Sequence, residues 1–284
     1  MIIDTHVHFY DTERPQGVPW PPKDNFPLYQ PSLPSRYKPL AEPAGVTGVI
    51  VEEASTWVED NQWILDLAKT EPLIVGFVGN LDPEDEAFEA NLDRFSADPL
   101  YRGIRVRTNR AIPYGTERFK ECLGMLSARN LSLDLMARAA ALADIAEIAR
   151  DHPTLSVVVN HVAGVAVTGE VPDPAWTAGM EGLAEYENVF CKLSGMVEHA
   201  GSRPAPADVE YYRPTLDVLT KTLGVDRLVY SSNWTPCEKA GPYELTLNIV
   251  RAYFSELGED VLEKILWKNS KVAYRWPDRG CIQN

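Results

Sequence analysis

Two histidines at spacing two stand at the start of the chain, in the run Met1-Ile2-Ile3-Asp4-Thr5-His6-Val7-His8. The apolar opening reads as a buried strand, and side chains two apart on a strand point to the same face. His6 and His8 should therefore emerge together where that strand ends. Neutral imidazole is a common zinc ligand, and a catalytic zinc usually keeps three protein ligands and one open position. His161, directly after Asn160 at the end of another apolar run, would supply a third. A metal held by His6, His8 and His161 would lower the pKa of its bound water to about 7 and polarise a carbonyl. Without a metal, the same three groups would hydrogen-bond a substrate directly. Residue types and spacing leave both arrangements open.

The elements that must position these side chains follow from hydrophobic pattern. Short apolar, β-branched runs predict strands over 2–7, 46–52, 73–79, 103–107, 131–136, 155–160, 189–193 and 228–231. They show little alternation, as strands buried on both faces should. Amphipathic stretches between them predict helices over 61–69, 84–95, 117–129, 139–151, 176–186 and 213–223, with a helical close over 243–257 and 260–273. Eight strands alternating with helices imply an α/β fold, a (β/α)8 TIM barrel, as one domain over residues 1–284. An open doubly wound sheet is the rival, but no Gly-rich phosphate loop follows the first strand. Residues 15–43 depart from the pattern: nine prolines predict a long, stiffened loop without helix. It would lie over the barrel mouth as a lid, with Trp20, Phe26 and Tyr29 available to line a pocket, or strap the barrel's flank.

In such a barrel the C-terminal strand ends share one pocket. They carry His6 and His8, Glu52 and Glu53, Asn80, Arg105 and Arg107, Asp134 and Met136, Asn160 and His161, Lys192 and Ser194, and Asn233. Arg105 and Arg107 share a strand face, and guanidinium pairs with carboxylates in bidentate fashion. With Lys192 they suggest a site for a carboxylate or an oxygen-rich ring. His152 and His199 read as structural.

Composition narrows the partners. Lys and Arg number 27 against 41 Asp and Glu, a net charge of −14. Sequence-independent binding to nucleic acid or anionic membrane needs a basic face and is not expected. A small-molecule substrate is. Four scattered cysteines and no apolar run approaching the roughly 20 residues of a membrane span predict a reducing, cytoplasmic location. No leader is expected ahead of a strand that starts at Met1.

Several motifs together resemble the amidohydrolase superfamily, and within it the amidohydrolase-related branch that includes sugar-acid and pyrone dicarboxylate lactonases. They are IDTHVHFYD near the start, GIR at Gly103–Arg105, NH at Asn160–His161, KLSG at Lys192–Gly195, and DRLVYSSNW from Asp226 to Trp234. The resemblance covers nearly the whole chain. It implies hydrolysis of a small carboxylate or polyhydroxy lactone at a site built from His6, His8, His161 and the eighth-strand position. The family's acid at that position, a general base and metal ligand, is replaced here by Asn233. A carboxamide has no usable basicity, and losing a general base removes about 10²–10⁴-fold in rate. Glu53 or Glu52 is then the candidate replacement base, with Asn233 positioning water, and Arg105, Arg107 and Lys192 holding substrate. A divalent ion, zinc before others, and a metal-free site both remain open. The alternatives are a decarboxylase on the same scaffold and a catalytically silent, ligand-binding barrel.

Overall fold

The structure, a computed structural model, describes residues 1–107 and 116–279, apart from the side chain of Arg107. Eight parallel strands follow one another around a single sheet in chain order. They are β1 (Ile3–Val7), β2 (Gly48–Glu52), β3 (Ile74–Gly79), β4 (Tyr101–Arg107), β5 (Ser132–Met136), β6 (Ser156–Val159), β7 (Val189–Lys192) and β8 (Leu228–Val229). The seam between last and first strand closes by backbone bonds: Thr5 N donates to Tyr230 O at 3.3 Å and His8 N to Trp234 O at 2.7 Å. The expected (β/α)8 barrel is therefore the fold. Every strand expected from the apolar runs is present, and β8 is the shortest. Its two paired residues, followed by the irregular 230–233 segment, carry the ladder only to the depth of Val229.

Around the sheet lie α1 (Pro34–Ala41), α2 (Glu59–Thr70), α3 (Phe88–Ser96), α4 (Glu117–Ala128), α5 (Leu142–Asp151), α6 (Pro174–Gly182), α7 (Arg213–Leu223), α8 (Glu244–Ser255) and α9 (Glu259–Glu263), while α10 (Asn269–Tyr274) packs Ala273 and Tyr274 against Ile3, Ile50, Val75 and Val158 of the strands. Each of α2 to α8 lays buried apolar residues on the sheet, as Phe119, Leu123 and Leu126 do from α4. The closing helical region is broken: five residues with wide π-type winding, Lys264–Lys268, join α9 to α10. Among the described residues no helix is long and apolar enough to cross a membrane.

The proline-rich segment corrects the expectation of unbroken loop. Helix α1 lies inside it, with Pro34 in the first turn and Pro39 within. Proline at the first helical position loses no hydrogen bond, because that N–H has no intrahelical partner. Buried Tyr37 and Ala41 then anchor the helix, which accommodates Pro39. Upstream, Trp20 reaches the barrel mouth, with its ring 5.5 Å from that of His8. Phe26, which could have lined the pocket, is 87% exposed.

Asp4 secures the seam. Fully buried, it accepts from the hydroxyls of Tyr37 (2.8 Å) and Tyr243 (3.0 Å) and from the backbone N–H groups of Ser232 (2.8 Å) and His6 (3.3 Å). One carboxylate thus ties β1, α1, the segment after β8 and the entry to α8 together. Burial pushes its carboxyl above the usual range, and these donors pull the other way.

Register is as tightly specified in the middle of the sheet. Gly103 pairs with Ser132 across β4 and β5. A Cβ at Gly103 would lie 2.1 Å from Ser132 Oγ and 2.6 Å from the Ser132 carbonyl oxygen. Overpacking of this kind costs about 1–3 kcal/mol. Gly103→Ala is expected to lower unfolding free energy by about that amount in chemical denaturation; an unchanged midpoint would contradict the pairing of Gly103 with Ser132.

Candidate active site

The floor of the barrel mouth is an ion cluster. Lys192, from the end of β7, is fully buried and lies 2.7 Å from Glu52 Oε2 and 2.7 Å from Asp134 Oδ2. Its Nζ also lies 3.3 Å from His6 Nδ1. Asp134 is further bound by Ser132 Oγ at 2.9 Å and the Tyr274 hydroxyl at 2.8 Å. Glu52 accepts from Asn160 Nδ2 at 3.3 Å. Burial pushes the Glu52 carboxyl up, while Lys192 and Arg105 pull it down. Beside this cluster Arg105 donates from Nε to Glu53 Oε1 at 2.8 Å and from a terminal nitrogen to the Glu53 carbonyl at 2.6 Å. Both second-strand carboxylates are thus committed to cations.

The histidines stand on this floor. Their rings are in contact, with centroids 4.8 Å apart for His6 and His8 and 4.5 Å for His6 and His161. The hydrogen bonds assign their protons. An ammonium group only donates, so His6 Nδ1 accepts from Lys192 and the His6 proton sits on Nε2. That Nε2 lies 3.2 Å from His8 Nε2, which must accept. His8 Nδ1 lies 3.0 Å from the Glu52 carbonyl oxygen, which cannot donate, so His8 carries its proton there. Lys192, His6, His8 and the Glu52 carbonyl form one directed chain in which both rings are neutral. Burial and then the Lys192 charge hold the His6 pKa well below the usual imidazole range. Burial, then Arg105 and Lys192, do the same to His161.

His161 is held differently. It has φ 54°, and Val162, Ala163 and Gly164 follow with φ 46°, 54° and 63°. A left-handed turn costs non-glycine residues about 1–2 kcal/mol each. The turn is fastened by Trp176 Nε1, which donates to Val162 O at 2.9 Å, and by burial of Val162 and Ala163. The KLSG segment completes the support. Ser194 Oγ meets His161 Nδ1 at 2.8 Å. Gly195 has φ 75°, and a Cβ there would come within 2.6 Å of His161 Cβ. Backbone strain of this kind clusters at functional sites, and Asn233, also left-handed at φ 57°, is the second instance on the same mouth.

Between these groups opens a cavity of about 180 Å³, lined by His8, Trp20, Arg105, Met136, His161, Asn233 and Pro236. Among the residues read from sequence, His8, Arg105, His161 and Asn233 come together on its wall. His6 lies behind His8. Lys192, expected to hold substrate, lies beneath the wall in the ion cluster, because its position on β7 faces inward below the mouth. Glu53, expected as a base, lines a separate small cavity under Trp20 with Arg14, Asp60 and Trp63. The Arg107 side chain and Arg110 lie outside the described residues. Sequence reasoning missed Glu198, in the loop after β7. Its Oε1 accepts from Asn233 Nδ2 at 2.6 Å, and burial pushes its carboxyl up to about 7 against that donation. No motif or spacing marks it.

Three histidines at one mouth raise the question of a metal. The 3.2 Å between the two Nε2 atoms suits two corners of a zinc tetrahedron with Zn–N near 2.0–2.1 Å. A metal on His6 Nε2, however, needs that nitrogen deprotonated, which would turn an Nδ1 proton against the Lys192 ammonium. Among the described residues, no three His, Cys, Asp or Glu side chains are arranged to hold a metal ion. As arranged, His6, His8 and His161 do not fit a three-ligand zinc site.

Comparison with known proteins agrees with this architecture. The L-fucono-1,5-lactonase of Burkholderia ambifaria is 28% identical over 85% of this chain and 82% of its own length. The L-fucono-1,5-lactonase of Burkholderia multivorans is 24% identical over 97% and 96%. A crystal structure of a Burkholderia multivorans amidohydrolase with bound zinc superposes with a TM-score of 0.87 at 24% identity, covering 98% of this chain and all of that one. The family model described as amidohydrolase matches residues 3–276, nearly the full length of the barrel and all of the mouth described above, and the chain belongs to the amidohydrolase family.

Proposed function

We propose that this protein hydrolyses a small lactone, a 1,5-lactone of a sugar acid being the substrate class favoured. The observation that carries this reading is the cavity wall itself. A neutral imidazole, a buried guanidinium and a carboxamide converge on a space of about 180 Å³, which suits a monosaccharide-sized ring. The two fucono-lactonase relatives support the substrate class.

The reading assigns each step to this chain's own groups. Arg105, fixed by Glu53, faces the lactone carbonyl and stabilises the oxyanion as charge develops there. Asn233 orients the attacking water. His161, neutral at working pH and held through Nδ1 by Ser194, takes the proton as water adds to the carbonyl carbon. The tetrahedral intermediate collapses by breaking the ring C–O bond, and the imidazolium returns the proton to the departing alkoxide. The product is the open-chain hydroxy acid. The lowered pKa of His161 suits the second half of this cycle, since its conjugate acid gives up the proton readily. Glu52 and Glu53 serve as counter-ions, so the base role passes to His161. No step is routed through a metal, although a relative binds zinc. Asn233 favours a second reading, a barrel that binds such a lactone without turning it over.

A panel of sugar-acid 1,5-lactones, followed by product NMR, is expected to show turnover above the spontaneous rate in the presence of a chelator. No turnover across the panel, with or without zinc or manganese, would contradict the enzyme reading. His161→Gln, checked for folding by circular dichroism, is expected to lower kcat by about 10²–10⁴-fold; an unchanged kcat would remove His161 from the mechanism.

A further inference from the structure

Asn233 stands where the family's pattern has a carboxylate, and a carboxylate stands directly behind it. Glu198 Oε1 accepts from Asn233 Nδ2 at 2.6 Å, while Asn233 itself lines the cavity. We propose that Glu198 is the positioning residue of this site, locking the Asn233 amide with its oxygen toward the cavity. The two residues together then orient the attacking water. This inference rests on the lactone-hydrolase reading.

An amide side chain has two nearly isosteric orientations, and hydrogen-bond partners decide between them. In its ionised form, which prevails above the value of about 7 set by burial, the Glu198 carboxylate only accepts. The flipped amide would set Asn233 Oδ1 against Glu198 Oε1, two acceptors at hydrogen-bond distance. With Nδ2 held by Glu198, Oδ1 is the end left to accept a hydrogen bond from water. The left-handed backbone at Asn233, φ 57°, turns the residue out of the strand direction and allows one side chain to face both the cavity and the β7 loop.

Among the described residues, no cation forms an ion pair with Glu198. Arg203, the cation near it, donates to the backbone carbonyls of Glu198, Ala200 and Ser202. The other carboxylate oxygen, Oε2, is buried and takes no hydrogen bond among the described residues. Leaving a buried polar group unsatisfied costs about 1–3 kcal/mol, more for a charged one. A carboxylate kept at such a place, in contact with one pocket residue, is explained by what it does to that residue. The arrangement divides a single acid's tasks between an amide that touches water and a carboxylate that aims it.

The test compares wild type with Glu198→Leu, Glu198→Gln, Asn233→Ala and the double change Glu198→Leu with Asn233→Ala. Losing a hydrogen bond to a charged group corresponds to about 10- to 100-fold. Glu198→Leu is expected to lose that much in kcat, with KM little changed. Glu198→Gln, whose carbonyl oxygen can accept from the same Nδ2, should recover most of the loss. The double change should cost no more than Asn233→Ala alone, since the two residues act as a unit. A Leu variant at wild-type kcat, a loss confined to KM, no recovery with Gln, or additive losses would overturn the proposal.

A second measurement does not depend on turnover. In protein labelled with 15N at asparagine, the Asn233 side-chain amide should show one proton shifted downfield by the carboxylate in wild type, and this shift should vanish in Glu198→Leu. An unshifted amide in wild type would overturn the proposal, even if no lactone is hydrolysed and the functional reading fails on its own. The shift present in a protein without turnover would uphold the positioning role and reject only that reading.

Discussion

Burying an ammonium group at the base of the pocket is the constraint around which this site is built. Lys192 is fully enclosed, and breaking a buried ion pair by removing one partner is strongly destabilising, because the other charge is left uncompensated. Glu52 and Asp134 flank it at 2.7 Å, Ser132 and Asn160 satisfy their other oxygens, and Tyr274 is a second donor to Asp134 Oδ2. The cluster then dictates what stands above it. A third ammonium proton faces His6, which sets the His6 tautomer, which sets that of His8. The chemical character of the pocket is therefore decided one layer below the groups that line it.

The family motifs acquire physical meaning in this frame. In KLSG, Lys192 anchors the floor, Ser194 holds His161 Nδ1, and Gly195 admits the His161 backbone where a side chain would collide. In GIR, Gly103 permits close approach to Ser132 and Arg105 spans to Glu53. In the opening DTHVH, Asp4 fastens the barrel seam while the histidines two and four residues later face the mouth. Stability and chemistry are interleaved residue by residue. The strained left-handed turns at His161 and Asn233 are held in place by well-packed surroundings, as Trp176 shows for the former.

Much of this was legible in the sequence, for identifiable reasons. Strands buried on both faces give continuous apolar runs, so all eight were readable, as was the clustering of His8, Arg105, His161 and Asn233. Depth was not. Strand alternation says that Lys192 faces inward, but not that it lies below the mouth rather than at it. Proline content argued against helix over 15–43, yet Pro34 in a first turn and buried Tyr37 sustain α1. Glu198 was invisible because its partner is 35 residues away and reaches it through a left-handed residue, a conformation no pattern of apolar residues encodes.

The central claim is that Lys192 fixes the histidine tautomers and so gives the pocket its neutral imidazole character. The most direct test is a long-range 15N–1H correlation spectrum of the histidine rings at neutral pH, in protein stripped of divalent ions. The account predicts neutral His6 protonated on Nε2 and neutral His8 protonated on Nδ1. His6 protonated on Nδ1, the form that would present Nε2 to a metal, or a doubly protonated ring at either position, would contradict it.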